Sequence, residues 1–197
     1  MSLLDAVRSA VAIAAAEGRS AVLVGGLAVS ARAEPRFTRD ADLVVAIDSD
    51  IEAEAVVRSF LARGYRVQAL LEQSGTDRLS GARLLDPDGI EIDLLTASSG
   101  VEAEIVADAS SLDIVPGLPV LVAATGHLIA LKLLSVAPGR ETDAADLRSL
   151  ARVADEAEWS RAASAVALIV ERGFHRGRDL VADFQALRAE GDVRRSG

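Results

Sequence analysis

The chain contains no cysteine. That excludes disulfides, thiolate-bound zinc and thiol nucleophiles together. Aromatic residues make up only 3% of the chain against 50% hydrophobic residues overall, so the core must be aliphatic. Lysine is nearly absent: the 21 basic residues include one lysine, Lys132, and are otherwise arginine. No stretch approaches the ~20 consecutive apolar residues of a membrane span. Residues 1–18 interrupt their apolar pattern with Asp5, Arg8 and Glu17, unlike the unbroken apolar block of a signal peptide. A soluble, cytoplasmic protein is the expectation, with no membrane partner. Neither the GxxxxGK[ST] phosphate loop nor the GxGxxG dinucleotide fingerprint occurs, and no serine sits in a Gly-x-Ser-x-Gly elbow. The 2 histidines, His127 and His175, fall in different predicted helices. They are read as structural, not as a zinc or catalytic pair.

What is present is a globular composition. The 197 residues suffice for one domain, or for one domain with a helical appendage. The net charge of −9 opposes the basic face that duplex DNA demands, so no duplex DNA partner is expected.

Helical periodicity covers residues 3–17 and stops at Gly18. An apolar run over 20–24 reads as a strand entering a tight turn at Gly25-Gly26, after which a helix runs over 27–33. A strand follows over 42–47, then a helix over 51–63 capped by Asp48-Ser49-Asp50 and closed by Gly64. Residues 65–71 read as a strand. Segments 82–85 and 90–95 flank Asp86-Pro87-Asp88-Gly89 and predict a hairpin. Beyond residue 124 the pattern is helical throughout: 125–136, 143–154, 158–172 and 178–190, with a frayed polar tail after Gly191. The domain expectation is therefore an α/β core over 1–124, with a helical C-terminal part over 125–197 packed on it.

Chemistry concentrates in the acids. Asp40 and Asp42 are two residues apart at the start of a strand, so both point to one face. Two adjacent carboxylates repel unless a cation lies between them. Mg²⁺ takes one or two carboxylates plus substrate phosphates. On the later strand, Asp93 alternates with Ile92 and Leu94, and pairing beside the first strand would add a third carboxylate. Three such acids suit a one- or two-metal centre. Gly25-Gly26, between a strand and a helix, offers close backbone approach and helix N–H groups to phosphate. Taken singly each feature has a bland reading: a solvated strand start, the polar face of a hairpin, an ordinary turn. Their order along one chain favours a site.

These residues resemble a known family. Gly25-Gly26-Leu27-Ala28-Val29 followed by Arg36-Phe37-Thr38-Arg39-Asp40-Ala41-Asp42 looks like the signature of the nucleotidyltransferase superfamily, in its AbiEii-like branch. That branch includes toxins of type IV toxin–antitoxin systems and their relatives. Ala130-Leu131-Lys132-Leu133, Arg140 and Asp143-Ala144-Ala145-Asp146-Leu147 extend the resemblance over about residues 20–150. It implies the minimal nucleotidyltransferase fold, a small mixed sheet with flanking helices followed by a helical part. It also implies that Asp40, Asp42 and Asp93 hold Mg²⁺ or Mn²⁺ and carry catalysis. Independently of the resemblance, one of these acids, Asp93 by preference, is expected to help deprotonate the attacking hydroxyl. Gly25, Gly26, Arg36, Thr38, Lys132, Arg140, Asp143 and Asp146 are the implied nucleotide-binding residues. The expected activity is transfer of a nucleotidyl group from an NTP to a hydroxyl on a tRNA, a protein or a small molecule, with an antitoxin as a further partner. The alternative is a non-catalytic nucleotide- or partner-binding protein of the same fold, acting by association.

Overall fold

The computed structural model describes residues 2–72, 79–136 and 141–195. Helix α1 (Leu3–Ala16) opens on a capping box in which Ser2 and Asp5 satisfy each other's backbone N–H groups. Its inward stripe is almost all alanine and valine, which lets it lie close to its neighbours. Strand β1 (Ala21–Val24) is buried along its whole length, the pattern of a strand covered on both faces. Helix α2 (Gly25–Arg32) begins on the next residue, and β2 (Asp40–Val45) returns antiparallel to β1. Helix α3 (Asp50–Leu61) is capped by the Ser49 side chain. Strands β3 (Arg66–Glu72), β4 (Leu79–Leu85) and β5 (Glu91–Leu95) form an antiparallel meander, with β4 and β5 joined through Asp86–Ile90 as the turn signal predicts. Then come α4 (Glu102–Ala107), β6 (Ser110–Asp113), β7 (Pro119–Val122) and the helices α5 (Thr125–Ser135), α6 (Glu141–Val153), α7 (Glu156–Glu171) and α8 (Leu180–Arg195).

Among the described residues all the strands join one mixed sheet of 7 strands in the order β3-β4-β5-β2-β1-β7-β6. Two pairings are parallel, β2 with β5 and β1 with β7. Strand β2 therefore sits centrally, flanked by β1 and β5. On β2, Ala41, Leu43, Val44 and Val45 are fully buried. The C-terminal helices continue the same hydrophobic cluster through Leu128, Leu150, Trp159 and Ile169. Among the described residues no helix is long and apolar enough to cross a membrane.

The sheet is wider than the small one expected, because the β3–β4 pair and the β6–β7 pair extend both edges. Other departures are local. Helix α2 begins at Gly25 with no separating turn. Strand β2 starts at Asp40, so both aspartates lie within it. Helix α8 passes through Gly191 to Arg195, where the sequence reading ends it in a frayed tail. Gly191 packs near Trp159, where an added Cβ would meet the indole at 3.5 Å, so tertiary contact overrides glycine's poor helix propensity.

Candidate active site

The junction of β1 and α2 shapes the site. Val24 pairs with Asp42, and Asp42 pairs on its other side with Asp93. The two aspartates thus face each other across adjacent parallel strands. Asp40 lies one pleat away on the same face of β2, opposite Glu91. All three aspartates line one cavity of about 490 Å³. The Thr38 hydroxyl donates to Asp40 Oδ1 at 2.6 Å.

Both glycines are demanded by space. Gly25 has φ +62°, and a Cβ there would lie 1.7 Å from Asp42 Oδ2. The Asp42 carboxylate rests against the first turn of α2, a position any side chain at residue 25 would take. A Cβ on Gly26 would lie 2.7 Å from Arg36 Nη2 and 3.0 Å from Thr38 Oγ1. The Gly-Gly pair therefore clears room for the functional side chains beside a helix N-terminus.

Asp42 is the electrostatically loaded group. Burial first, then the charges of Asp40 and Asp93, push its pKa from 3.8 up to about 6; Lys132 and Arg83 oppose the rise. Among the described residues no hydrogen bond reaches this carboxylate.

The opposite wall comes from the helical half. Lys132 Nζ on α5 lies 2.6 Å from Asp143 Oδ1 and 2.7 Å from Asp146 Oδ2, both on α6. Arg36 grips Asp146 bidentately, Nε to Oδ1 at 2.7 Å and Nη2 to Oδ2 at 2.9 Å. Burial alone would raise the pKa of Asp146, but the bonds from Arg36 and Lys132 outweigh it and hold the carboxyl below its ordinary value. The solitary lysine thus braces α5 to α6 at the cavity wall. Thr38, Arg36, Lys132 and Asp143 line the cavity with the glycines, and Asp146 supports them from behind. Arg140 lies outside the described residues.

Two features were not anticipated from sequence. Arg83 on β4 pairs in register with Asp93 and takes both of its oxygens, Nε to Oδ1 at 2.8 Å and Nη2 to Oδ2 at 2.7 Å. It also lies 3.2 Å from Glu91. Among the described residues no group of three acidic or imidazole side chains is set to hold a metal ion. The second feature is Glu102, which is buried and accepts from the backbone N–H groups of Ser98 and Ser99, both at 2.7 Å, and from both hydroxyls. It fixes the Ser98–Ser99 segment that forms another cavity wall. Arg176, in the left-handed region at φ 54°, donates to the Ser98 carbonyl at 3.1 Å from the loop before α8. His127 is buried, 3.9 Å from Asp108, and takes no part in the cavity lining.

The family model described as nucleotidyl transferase AbiEii toxin, type IV TA system, matches residues 9–195. The chain belongs to the AbiEii nucleotidyltransferase toxin family. Among solved structures, an antigenic nucleotidyltransferase-like protein from Paracoccidioides brasiliensis is 19% identical, covering 93% of this chain and 92% of that one, with a TM-score of 0.52. The antibiotic-resistance factor ANT(2'')-Ia is 18% identical, covering 98% and 92%, with a TM-score of 0.52. A second structure of it, in complex with adenylyl-2"-tobramycin, is 17% identical over 97% of both chains, with a TM-score of 0.50. At these identities the likeness is one of fold. No curated protein matches the chain. As an AbiEii-family nucleotidyltransferase the protein is an enzyme that moves a nucleotidyl group, and the cavity is its candidate active site.

Proposed function

We propose that the chain transfers a nucleotidyl group from an NTP to a hydroxyl acceptor, using a divalent cation held by Asp40, Asp42 and Asp93. The observation that carries this reading is Asp42: a carboxylate without a hydrogen bond among the described residues, pressed between two further acids until its pKa approaches 6. Hard carboxylate oxygens with surplus negative charge suit Mg²⁺ or Mn²⁺. Such an ion, when bound, neutralises charge on the triphosphate and on the departing pyrophosphate.

The chain's own residues do the rest. The N-terminus of α2 at Gly25-Gly26 offers N–H groups and the positive end of a helix dipole to the triphosphate. Lys132 adds a point charge for phosphate at the cavity wall, and Asp143 and Asp146 keep its ammonium in place. The Ser98–Ser99 wall, held by Glu102, bounds the remaining space. The acceptor oxygen bonds to the α-phosphorus, the bond from that phosphorus to the β-bridging oxygen breaks, and pyrophosphate leaves with the electron pair. The hydroxyl proton passes to Asp42, whose carboxylate accepts no hydrogen bond among the described residues and whose pKa is raised to about 6; Asp93, the acid expected from the sequence, has both oxygens on Arg83. Positioning and fixed charge supply the rate enhancement. The family description makes an antitoxin the partner to seek; the cytoplasm is the compartment we propose, since NTPs would be met there.

The test is incubation with each α-labelled NTP, Mg²⁺ or Mn²⁺, and cell lysate. Label transfer abolished in Asp40→Ala, Asp42→Ala and Asp93→Ala supports the reading. Nucleotide binding without transfer under every condition sinks it in favour of a protein acting by association.

A further inference from the structure

We propose that Arg83 is a positioning residue for this cation site, a placeholder counter-ion that holds Asp93 until a divalent cation replaces it. The inference rests on the cation reading above and concerns a residue that the family resemblance did not single out. Three aspartates converge on one cavity, yet one of them has both oxygens occupied by a guanidinium fork. A second cation at that carboxylate must displace the first or meet its repulsion.

The two partners differ in freedom. The Asp93 side chain is 10% exposed and fixed on a central strand, whereas that of Arg83 is 40% exposed. Arg83 is therefore the partner that moves. Glu91, 3.2 Å away on the same strand as Asp93, gives the guanidinium a second anchor without further travel. The Arg36–Asp146 pair is built differently. There the carboxylate is 2% exposed and is cross-braced by Lys132, so neither member is free to leave. Of the two arginine forks at this cavity among the described residues, one is fixed scaffold and the other is open to exchange.

The two roles for Arg83 predict opposite signs. An arginine that only keeps Asp93 in place would, on removal, weaken cation binding or leave it unchanged. A placeholder, on removal, strengthens it. The readout is Mn²⁺ binding by the full-length protein without nucleotide, followed by loss of the free-ion paramagnetic resonance signal, with thermal melts to confirm folding. Arg83→Met should bind Mn²⁺ about tenfold more tightly than wild type, about 1.4 kcal/mol. Arg83→Lys should fall between, because an ammonium cannot form the fork. Glu91→Gln, a change at a partly exposed position, removes the second anchor and should weaken Mn²⁺ binding by roughly threefold. Equal or weaker binding by Arg83→Met, with wild-type binding that disappears in Asp42→Asn, overturns the placeholder and leaves the cation reading standing. Absence of Mn²⁺ binding in wild type and Arg83→Met alike overturns both.

Discussion

Replacing Asp42 with asparagine should stabilise the protein while abolishing its chemistry. Folding carries the Asp42 pKa from 3.8 to about 6, which corresponds to roughly 3 kcal/mol against the charged form. The carboxylate faces a cavity that admits solvent, so roughly 1–3 kcal/mol is the expected gain in Asp42→Asn at neutral pH. For a chain of this size each kcal/mol is worth about 2–4 °C, a rise in Tm of roughly 2–12 °C. The pH dependence fixes the cause. Between pH 4 and 6 the native state keeps a proton that the unfolded state has lost, so wild-type stability falls as pH rises through that window. The two proteins should therefore melt together near pH 4 and diverge until about pH 7. Urea denaturation across this range measures the gap directly. Mg²⁺ should narrow it by stabilising only the wild type. A gap independent of pH, or an Asp42→Asn protein less stable at pH 7, would refute the reasoning.

Further outcomes follow from the same geometry. Gly25→Ala forces an L-residue into the left-handed region, at about 1–2 kcal/mol, and drives its Cβ into Asp42. Label transfer should drop by at least about 100-fold, as for other displaced catalytic groups, with a lowered melting temperature. Lys132→Met leaves Asp143 and Asp146 short of a cation and should cost about 3 kcal/mol; denaturant titration checks this, and the KM for NTP should rise. Glu102→Ala strands the backbone N–H groups of Ser98 and Ser99, at about 1–3 kcal/mol. It should raise KM more than it lowers kcat, because it loosens a cavity wall and leaves the aspartates in place.

The acids were legible in sequence because strand periodicity alone puts Asp40 and Asp42 on one face, and an alternating strand leaves Asp93 opposite its apolar neighbours. The lone lysine was legible by contrast with the arginines around it. Arg83 was not, since in a chain so rich in arginine no single one stands out. Its meeting with Asp93 also depends on hairpin register. A turn confined to Asp86–Gly89 would place Leu85 opposite Ile90; the turn takes in Ile90 as well, and Leu85 pairs with Glu91. That one-residue difference decides which side chains become neighbours, and it brings the guanidinium onto Asp93. Helix α4 and strand β6 are short, with 6 and 4 residues, too few for a periodic pattern to register. Glu102 shows its role only once the loop it ties has a shape.

The direct passage from β1 into α2 makes the spacing between them intolerant of change. A single inserted residue after Val24 would turn the helix by about 100° and advance it about 1.5 Å. Gly26 would swing away from Arg36 and Thr38, and a side chain would enter the space Asp42 now fills. Loop-length variation among relatives with working sites should therefore accumulate at the sheet's outer strands and spare this joint.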